Sequence, residues 1–237
     1  MSLDRVERTW NQLGEENPMW AVLTTREDWD EEEFFRTGQE EIDEVLAYAR
    51  SLGPLGGGRA LDFGCGLGRL TRALAGSFES AVGVDIAESM IEGARQLNAE
   101  IANAEFVLNQ RSDLSAFEDG TFDFVYSNIT LQHMPPNHAE GYVREFGRVL
   151  APAGVTLFQV PSHRTNPPAF PRLADAARSA VRALRRTKRM EMHAIPRERV
   201  LGVLDGAGLE ALDVKWDGRA GEGWEGYRYA ARRPKTS

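Results

Sequence analysis

Short apolar runs alternate with helix-period stretches along most of this chain. The runs at 59–63, 80–85, 104–108, 121–127 and 154–160 have the length and composition of buried strands. Between them, 67–76, 88–98 and 137–150 carry apolar residues at helical spacing, as in Leu67, Leu70, Ala73 and Leu74. A further helix is predicted over 196–206, bounded by Pro196 and by Gly206 and Gly208. Two last runs, 209–216 and 224–231, predict a terminal hairpin. Strands alternating with helices predict an α/β fold, a doubly wound and mostly parallel sheet.

Two stretches depart from that alternation. Residues 1–50 read as helical and aromatic, with Trp10, Trp20, Trp29, Phe34 and Phe35. Asp30 is placed to cap a helix whose stripe is Ile42, Val45, Leu46 and Ala49. This part is expected to form an N-terminal helical lid over a domain spanning 51–237, with Trp29, Phe34 and Phe35 as the covering side chains; packing as an extra core helix is the alternative. The second break is 161–193. Pro161, Pro167, Pro168 and Pro171 oppose regular structure, and then Leu173, Ala177, Val181 and Leu184 form a stripe opposite Arg178, Arg182, Arg185 and Arg189. It reads as an insertion between the fifth strand and its helix.

The densest chemistry lies at 60–69, Ala-Leu-Asp-Phe-Gly-Cys-Gly-Leu-Gly-Arg. A strand runs into Gly64, Gly66 and Gly68, which let the backbone turn sharply and let a ligand approach. The following helix aims free N–H groups over the loop. The second strand ends in Asp85, whose carboxylate can accept from both hydroxyls of a ribose. The dinucleotide fingerprint G-x-G-x-x-G needs a third glycine at 69, where Arg69 stands. A phosphate loop ending in Gly-Lys-Ser/Thr is absent too. Asp62, two residues before the first glycine, would repel a pyrophosphate and suits a cationic amino group. A ligand with a ribose, an ammonium and no phosphate fits S-adenosylmethionine.

On these motifs the chain resembles the class I S-adenosylmethionine-dependent methyltransferases of the small-molecule type. The matching residues are Asp62 to Gly68, Val82 to Met90, Gln110 to Leu114, Phe122 to Asn128 and Arg148 to Gly154, in the family's order. The resemblance implies a seven-stranded sheet whose last strand is antiparallel, with S-adenosylmethionine as cofactor and S-adenosylhomocysteine as product. It implies that Gly64 and Gly66 contact the methionine portion, with Asp62 positioning that region and Cys65 also at the cofactor. Asp85 takes the ribose, while Ile86 and Met90 pack on the adenine. Asp113 accepts from the adenine amino group and the Leu114 N–H reaches a ring nitrogen. Asn128 and Ile129 lie beside the sulfonium. Four have a plainer alternative: Asp62 and Asp113 as caps, Asp85 as a solvated strand end, Met90 as core.

His133, in the loop after the fourth strand, is the candidate general base, since an unperturbed imidazole has a pKa of ~6.5. His163 and His193 flank the insertion and are weaker candidates. The implied reaction is methyl transfer to a small molecule at a hydroxyl group, on a natural product, a quinone-like ring, or a sugar that is free or lipid-linked. The alternatives are methylation of tRNA or protein, and a non-catalytic cofactor-binding domain. Ser-Asn-Ile-Thr at 127–130 departs from the Asn/Asp-Pro-Pro-Tyr pattern of enzymes that methylate base amines.

Composition narrows the partners. The net charge of −8 opposes nucleic-acid binding. No apolar run reaches the roughly 20 residues of a membrane span. The basic stretch at 172–199 allows only weak peripheral membrane contact, because the apolar residues of its predicted helix are mostly alanine. The single cysteine, Cys65, excludes an internal disulfide and suits a reducing cytoplasm, the expected location. No clustered carboxylates suggest a metal, so none is expected.

Overall fold

The computed structural model describes residues 3–165 and 190–235. Its centre is one seven-stranded sheet in the order β3-β2-β1-β4-β5-β7-β6. The strands are β1 (Arg59–Phe63), β2 (Ser80–Asp85), β3 (Ala104–Leu108), β4 (Phe122–Ser127), β5 (Leu150–Arg164), β6 (Glu210–Trp216) and β7 (Trp224–Arg232). Neighbours pair in parallel from β3 to β5. Only β7 runs the other way, between β5 and β6. This is the mostly parallel, doubly wound sheet that the alternation predicts.

Seven helices surround it among the described residues: α1 (Leu3–Glu16), α2 (Pro18–Val22), α3 (Glu31–Ser51), α4 (Arg69–Ala75), α5 (Glu88–Leu97), α6 (Pro136–Val149) and α7 (Arg197–Gly206). Each sheet face buries a separate core. On one face Tyr142, Val143 and Phe146 of α6 and Val203 and Leu204 of α7 pack with Leu61, Val125 and Phe158. On the other, Ile42, Val45 and Leu46 of α3 and Leu74 of α4 pack with Ala60, Phe124 and Leu157. Asp30 caps α3, its carboxylate accepting from the Glu33 N–H at 3.1 Å, as its position before the helix predicts.

Both bounds of the fifth strand differ from expectation, and it starts at Leu150 instead of 154. The fifth strand reaches Arg164 instead of ending at 160, passing through Pro161. The long β7 pairs with it from Val155 to Arg164, and a register shift after Pro161 accommodates the missing N–H. The Pro161 carbonyl accepts from the Ile195 N–H at 2.9 Å. The basic helix expected over 173–189 lies outside the described residues. No helix among the described residues is long and apolar enough to cross a membrane.

Candidate active site

The parallel strands deliver their carboxyl ends to one edge of the sheet, where ligands of such folds bind. At the end of β1 the chain turns through Gly64 (φ 81°) and Gly66 (φ 52°), left-handed conformations that favour glycine. A Cβ on Gly64 would collide with the Thr130 side chain, and one on Gly66 would lie 2.6 Å from Val22 Cγ2. The Gly64 and Cys65 N–H groups both donate to the Val84 carbonyl, stapling the loop to β2. Asp85 closes β2 and braces the same loop: one carboxylate oxygen accepts from the Gly66 N–H at 2.9 Å, the other from the Ala87 N–H at 3.0 Å. A carboxylate offers about four lone pairs, so each oxygen keeps one for a ligand hydroxyl.

Asp62 lies beneath the loop. It is 1% exposed and accepts a 2.7 Å hydrogen bond from the Thr71 hydroxyl. Burial pushes its pKa up to about 7, against the lowering pull of Thr71 and Arg69. A carboxyl half-neutral near pH 7 is a weak counter-charge for an ammonium, and Asp62 does not reach the cavity described below. Burial also raises the Cys65 thiol well above its usual range, which removes it as a nucleophile.

The end of β4 supplies the opposite wall. Ile129 has φ 57°, a strained conformation for a β-branched residue. The kink brings Thr130 against Gly64 and starts a 3-10 turn over Leu131–His133. His133 is buried, with its ring edge-on to Trp10 at 5.2 Å between centroids. Its Nδ1 lies 2.9 Å from the Glu191 carbonyl. A carbonyl can only accept, so Nδ1 carries the hydrogen and Nε2 the lone pair. That lone pair faces the Gln132 Nε2 at 3.2 Å. Burial lowers the imidazole pKa to about 4, so the ring is neutral across the physiological range.

A charged cluster joins the N-terminal helices to this end of the sheet. Glu41 of α3 accepts from Arg69 Nη2 (2.7 Å), the Tyr126 hydroxyl (2.8 Å) and Asn128 Nδ2 (2.6 Å). Burial pushes the Glu41 pKa up, but Arg69 and Arg219 outweigh it and hold the group below its usual value. Gly38 permits the approach, since a Cβ there would lie 2.5 Å from the Arg69 carbonyl.

These pieces border one cavity of about 340 Å³. Of the sequence candidates, Gly64, Cys65, Gly66, Asp85, Ile86, Met90, Asn128, Ile129 and His133 line it. Asp113 and Leu114 do not. The Asp113 carboxylate accepts from Ser115, and the Leu114 N–H donates to Glu145 at 2.8 Å. Asn109 lines the cavity instead, its side chain donating to the Asp113 carbonyl. His163 sits away from the cavity, 3.6 Å from Glu225, while His193 only braces the loop, its N–H donating to the Gln132 carbonyl at 2.7 Å.

A profile for the methyltransferase domain family matches residues 60–154, the segment that holds the glycine loop, Asp85 and His133. The chain carries a class I S-adenosylmethionine-dependent methyltransferase domain. Among curated proteins it is similar to trans-aconitate 2-methyltransferase of Variovorax paradoxus, 37% identical over 113 residues, covering 46% of this chain and 40% of that protein. It is also similar to demethylmenaquinone methyltransferase of Staphylococcus aureus, 31% identical over 121 residues, covering 50% of this chain and 49% of that protein. The matches thus span about half the length, or less, of these relatives. Among solved structures, magnesium protoporphyrin IX methyltransferase from Synechocystis with bound SAH superposes with a TM-score of 0.66 at 20% identity, over 98% of this chain and 100% of that one. The [4+2]-cyclase SpnF superposes with a TM-score of 0.61 at 18% identity, over 86% of this chain and 82% of that one. At such identities the likeness is one of fold.

Several residues lining the cavity of this methyltransferase domain escape motif reading. Trp10, Val22 and Leu23 cover it, whereas the expected Phe34 is fully buried in its own cluster with Leu13 and Met90. Met190 and Met192 arrive from the stretch before α7, and Arg219 from the turn before β7. The one sequence sign for Arg69 was its place where a dinucleotide site has glycine.

Proposed function

We propose that this protein transfers a methyl group from S-adenosylmethionine to a hydroxyl group of an apolar small molecule. One observation carries the reading: the glycine loop, Asp85 and His133 all line a single cavity. The fit to the cofactor rests on the cradle at Gly64 and Gly66, which any Cβ would fill, and on the spare lone pairs of Asp85. The acceptor class follows from the walls near His133, formed by Val6, Trp10, Met134, Met190 and Met192.

When bound, the cofactor supplies a methyl group that is already electrophilic on its sulfonium. The chain's task is to align, to exclude water and to take a proton. Asp85 and the glycine loop hold the ribose and methionine portions. Trp10 and the methionines keep the far end dry. His133 Nε2 is the atom that receives the hydroxyl proton, since Nδ1 is committed to Glu191. The acceptor hydroxyl displaces the Gln132 amide from that lone pair. Alignment of this kind contributes roughly 7–11 kcal/mol, and a general base about 10²–10⁴-fold.

Transfer of label from methyl-tritiated S-adenosylmethionine to a panel of phenols, quinols, sugars, carboxylates and amines tests the reading. Transfer to phenols or quinols is expected. Transfer confined to carboxylates or amines, or tight cofactor binding with no transfer to any member, would overturn it.

A further inference from the structure

We propose that the Gln132 amide selects the methyl acceptor, and that the hydroxyl which meets His133 is flanked by a second hydroxyl on the neighbouring carbon, as in an ortho-dihydroxy arene. The inference rests on the reading above and deepens it, since it names the class of hydroxyl compound that the same cavity takes.

The orientation of both side chains is set from the Glu191 carbonyl. It can only accept, so His133 Nδ1 carries the hydrogen and Nε2 the lone pair. That lone pair needs a donor, and Gln132 Nε2 lies 3.2 Å away. The amide is thereby fixed, with its NH2 toward His133 and its oxygen turned away. The swapped amide would set two lone pairs against each other. Gln132 is 3% exposed, and its Oε1 is buried with no hydrogen-bond partner among the described residues. Met134, Met190 and Met192, on the same cavity, carry no side-chain donor that could serve it. Buried polar groups are nearly always paired, so Oε1 calls for a donor from a ligand. The backbone here is held on both sides: the His193 N–H donates to the Gln132 carbonyl at 2.7 Å, and the His133 N–H to the Thr130 carbonyl at 3.0 Å.

Gln132 and His133 both line the cavity. Together they offer an acceptor, a donor and a second acceptor: His133 Nε2, the Gln132 N–H and Gln132 Oε1. A lone hydroxyl uses the first two, donating to His133 and accepting from the amide. It leaves Oε1 unpaired. A second hydroxyl on the adjacent carbon donates to Oε1 and completes the set, because the amide's own nitrogen and oxygen share one carbon. A flanking methoxy or carbonyl group brings only acceptors and leaves Oε1 as it was. An arene suits walls built from Trp10 and three methionines, whose sulfurs make favourable contacts with aromatic rings. In the transfer, one lone pair of the first oxygen forms the bond to the methyl carbon. The carbon–sulfur bond breaks with its electron pair going to sulfur, and the hydroxyl proton passes to His133 Nε2. The oxygen's other lone pair stays on the Gln132 N–H.

Binding to the S-adenosylhomocysteine complex reads this selection without turnover. The probes for calorimetric titration are 4-tert-butylcatechol, 4-tert-butylphenol and 4-tert-butyl-2-methoxyphenol. The wild type is expected to prefer the catechol over each of the others by about tenfold or more, since a buried acceptor left unpaired is costly. Gln132→Met keeps the length of the side chain and the apolar wall and lacks both amide groups. It is expected to bring the catechol within about twofold of the phenol, while S-adenosylhomocysteine affinity stays within about twofold and shows that the variant is folded. Equal affinity of the wild type for the catechol and the phenol overturns the inference and needs no variant. A preference that survives in Gln132→Met overturns the role of Gln132. Binding of none of the three probes overturns the inference as well; labelled transfer to some other hydroxyl compound would then show that the reading beneath it stands. Failure of S-adenosylhomocysteine itself to bind the wild type overturns both.

Discussion

Asp62→Asn is expected to change how stability depends on pH, and the sign follows from burial. Asp62 has a folded-state pKa of about 7, raised from 3.8. The folded state therefore holds a proton that the unfolded state releases between those values. A raised carboxyl contributes stability that is fully present below the unfolded value and is lost as pH rises through the folded one. A rise from 3.8 to about 7 corresponds to roughly 4 kcal/mol, at 1.36 kcal/mol per pH step. Asparagine keeps an acceptor for the Thr71 hydroxyl and cannot ionise. The difference in unfolding free energy, variant minus wild type, is expected to grow with pH between about 4 and 7, by at most about 1.4 kcal/mol per pH step, and then to level off. Urea unfolding of both proteins from pH 4 to 8.5 measures that difference, and other titrating groups largely cancel. Parallel curves, or a difference that shrinks as pH rises, would show that Asp62 is ionised in the folded state and refute the reasoning.

Gly66→Ala places a Cβ 2.6 Å from Val22 Cγ2 at φ 52°, so S-adenosylhomocysteine affinity is expected to fall by about tenfold or more in calorimetry, while the melting temperature moves by only a few degrees. Arg148→Ala removes donors to the Phe117 and Leu114 carbonyls, each at 2.9 Å, along with ion pairs to Glu145 and Asp119. The Leu114 carbonyl keeps the Phe117 N–H at 2.9 Å, so one orphaned carbonyl and a loosened 114–119 loop predict a loss of about 1–3 kcal/mol by urea unfolding; an unaltered midpoint would contradict it.

The sheet was legible because its signals are local. Val82 to Asp85 and Phe122 to Ser127 form strands whatever lies far from them, and their order delivers Gly64, Asp85 and Asn128 to one edge. Asp113 and Leu114 show where motif logic stopped. Their bonds are decided by Ser115 and by Glu145, a helical residue far along the chain that no local pattern connects to them. The covering residues were hidden for a similar reason. Phe34 and Trp10 are both aromatic residues in helices, yet Phe34 packs inward, while Trp10 meets His133. That choice depends on how α1 is docked, through the Asn11 side-chain oxygen accepting from the Ser89 N–H at 3.1 Å. A sequence shows that an aromatic residue needs burial, not which face will provide it.

Trp10 therefore controls the chemistry of a residue that the sequence marked from the outset. Burial is the largest influence on His133 and lowers its pKa, while the bond to the Glu191 carbonyl pulls the other way and favours the charged ring. In the intact protein burial prevails, so methyl transfer should show no acidic limb from this imidazole above about pH 5. Trp10→Ala admits water and leaves the Glu191 bond in place. The pKa is then expected to climb from about 4 toward the ordinary 6.5. Because Nδ1–H stays committed to a carbonyl, Nε2 remains the titrating nitrogen. Histidine NMR titration of the two proteins follows that nitrogen without any acceptor, and the chain's four histidines can be assigned by single substitution. A His133 pKa that stays near 4 in the variant would mean that the desolvation comes from Met134, Met190 and Met192 rather than from α1. A wild-type pKa near 6.5 would mean that water already reaches the ring, and the dry acceptor end would have to be abandoned.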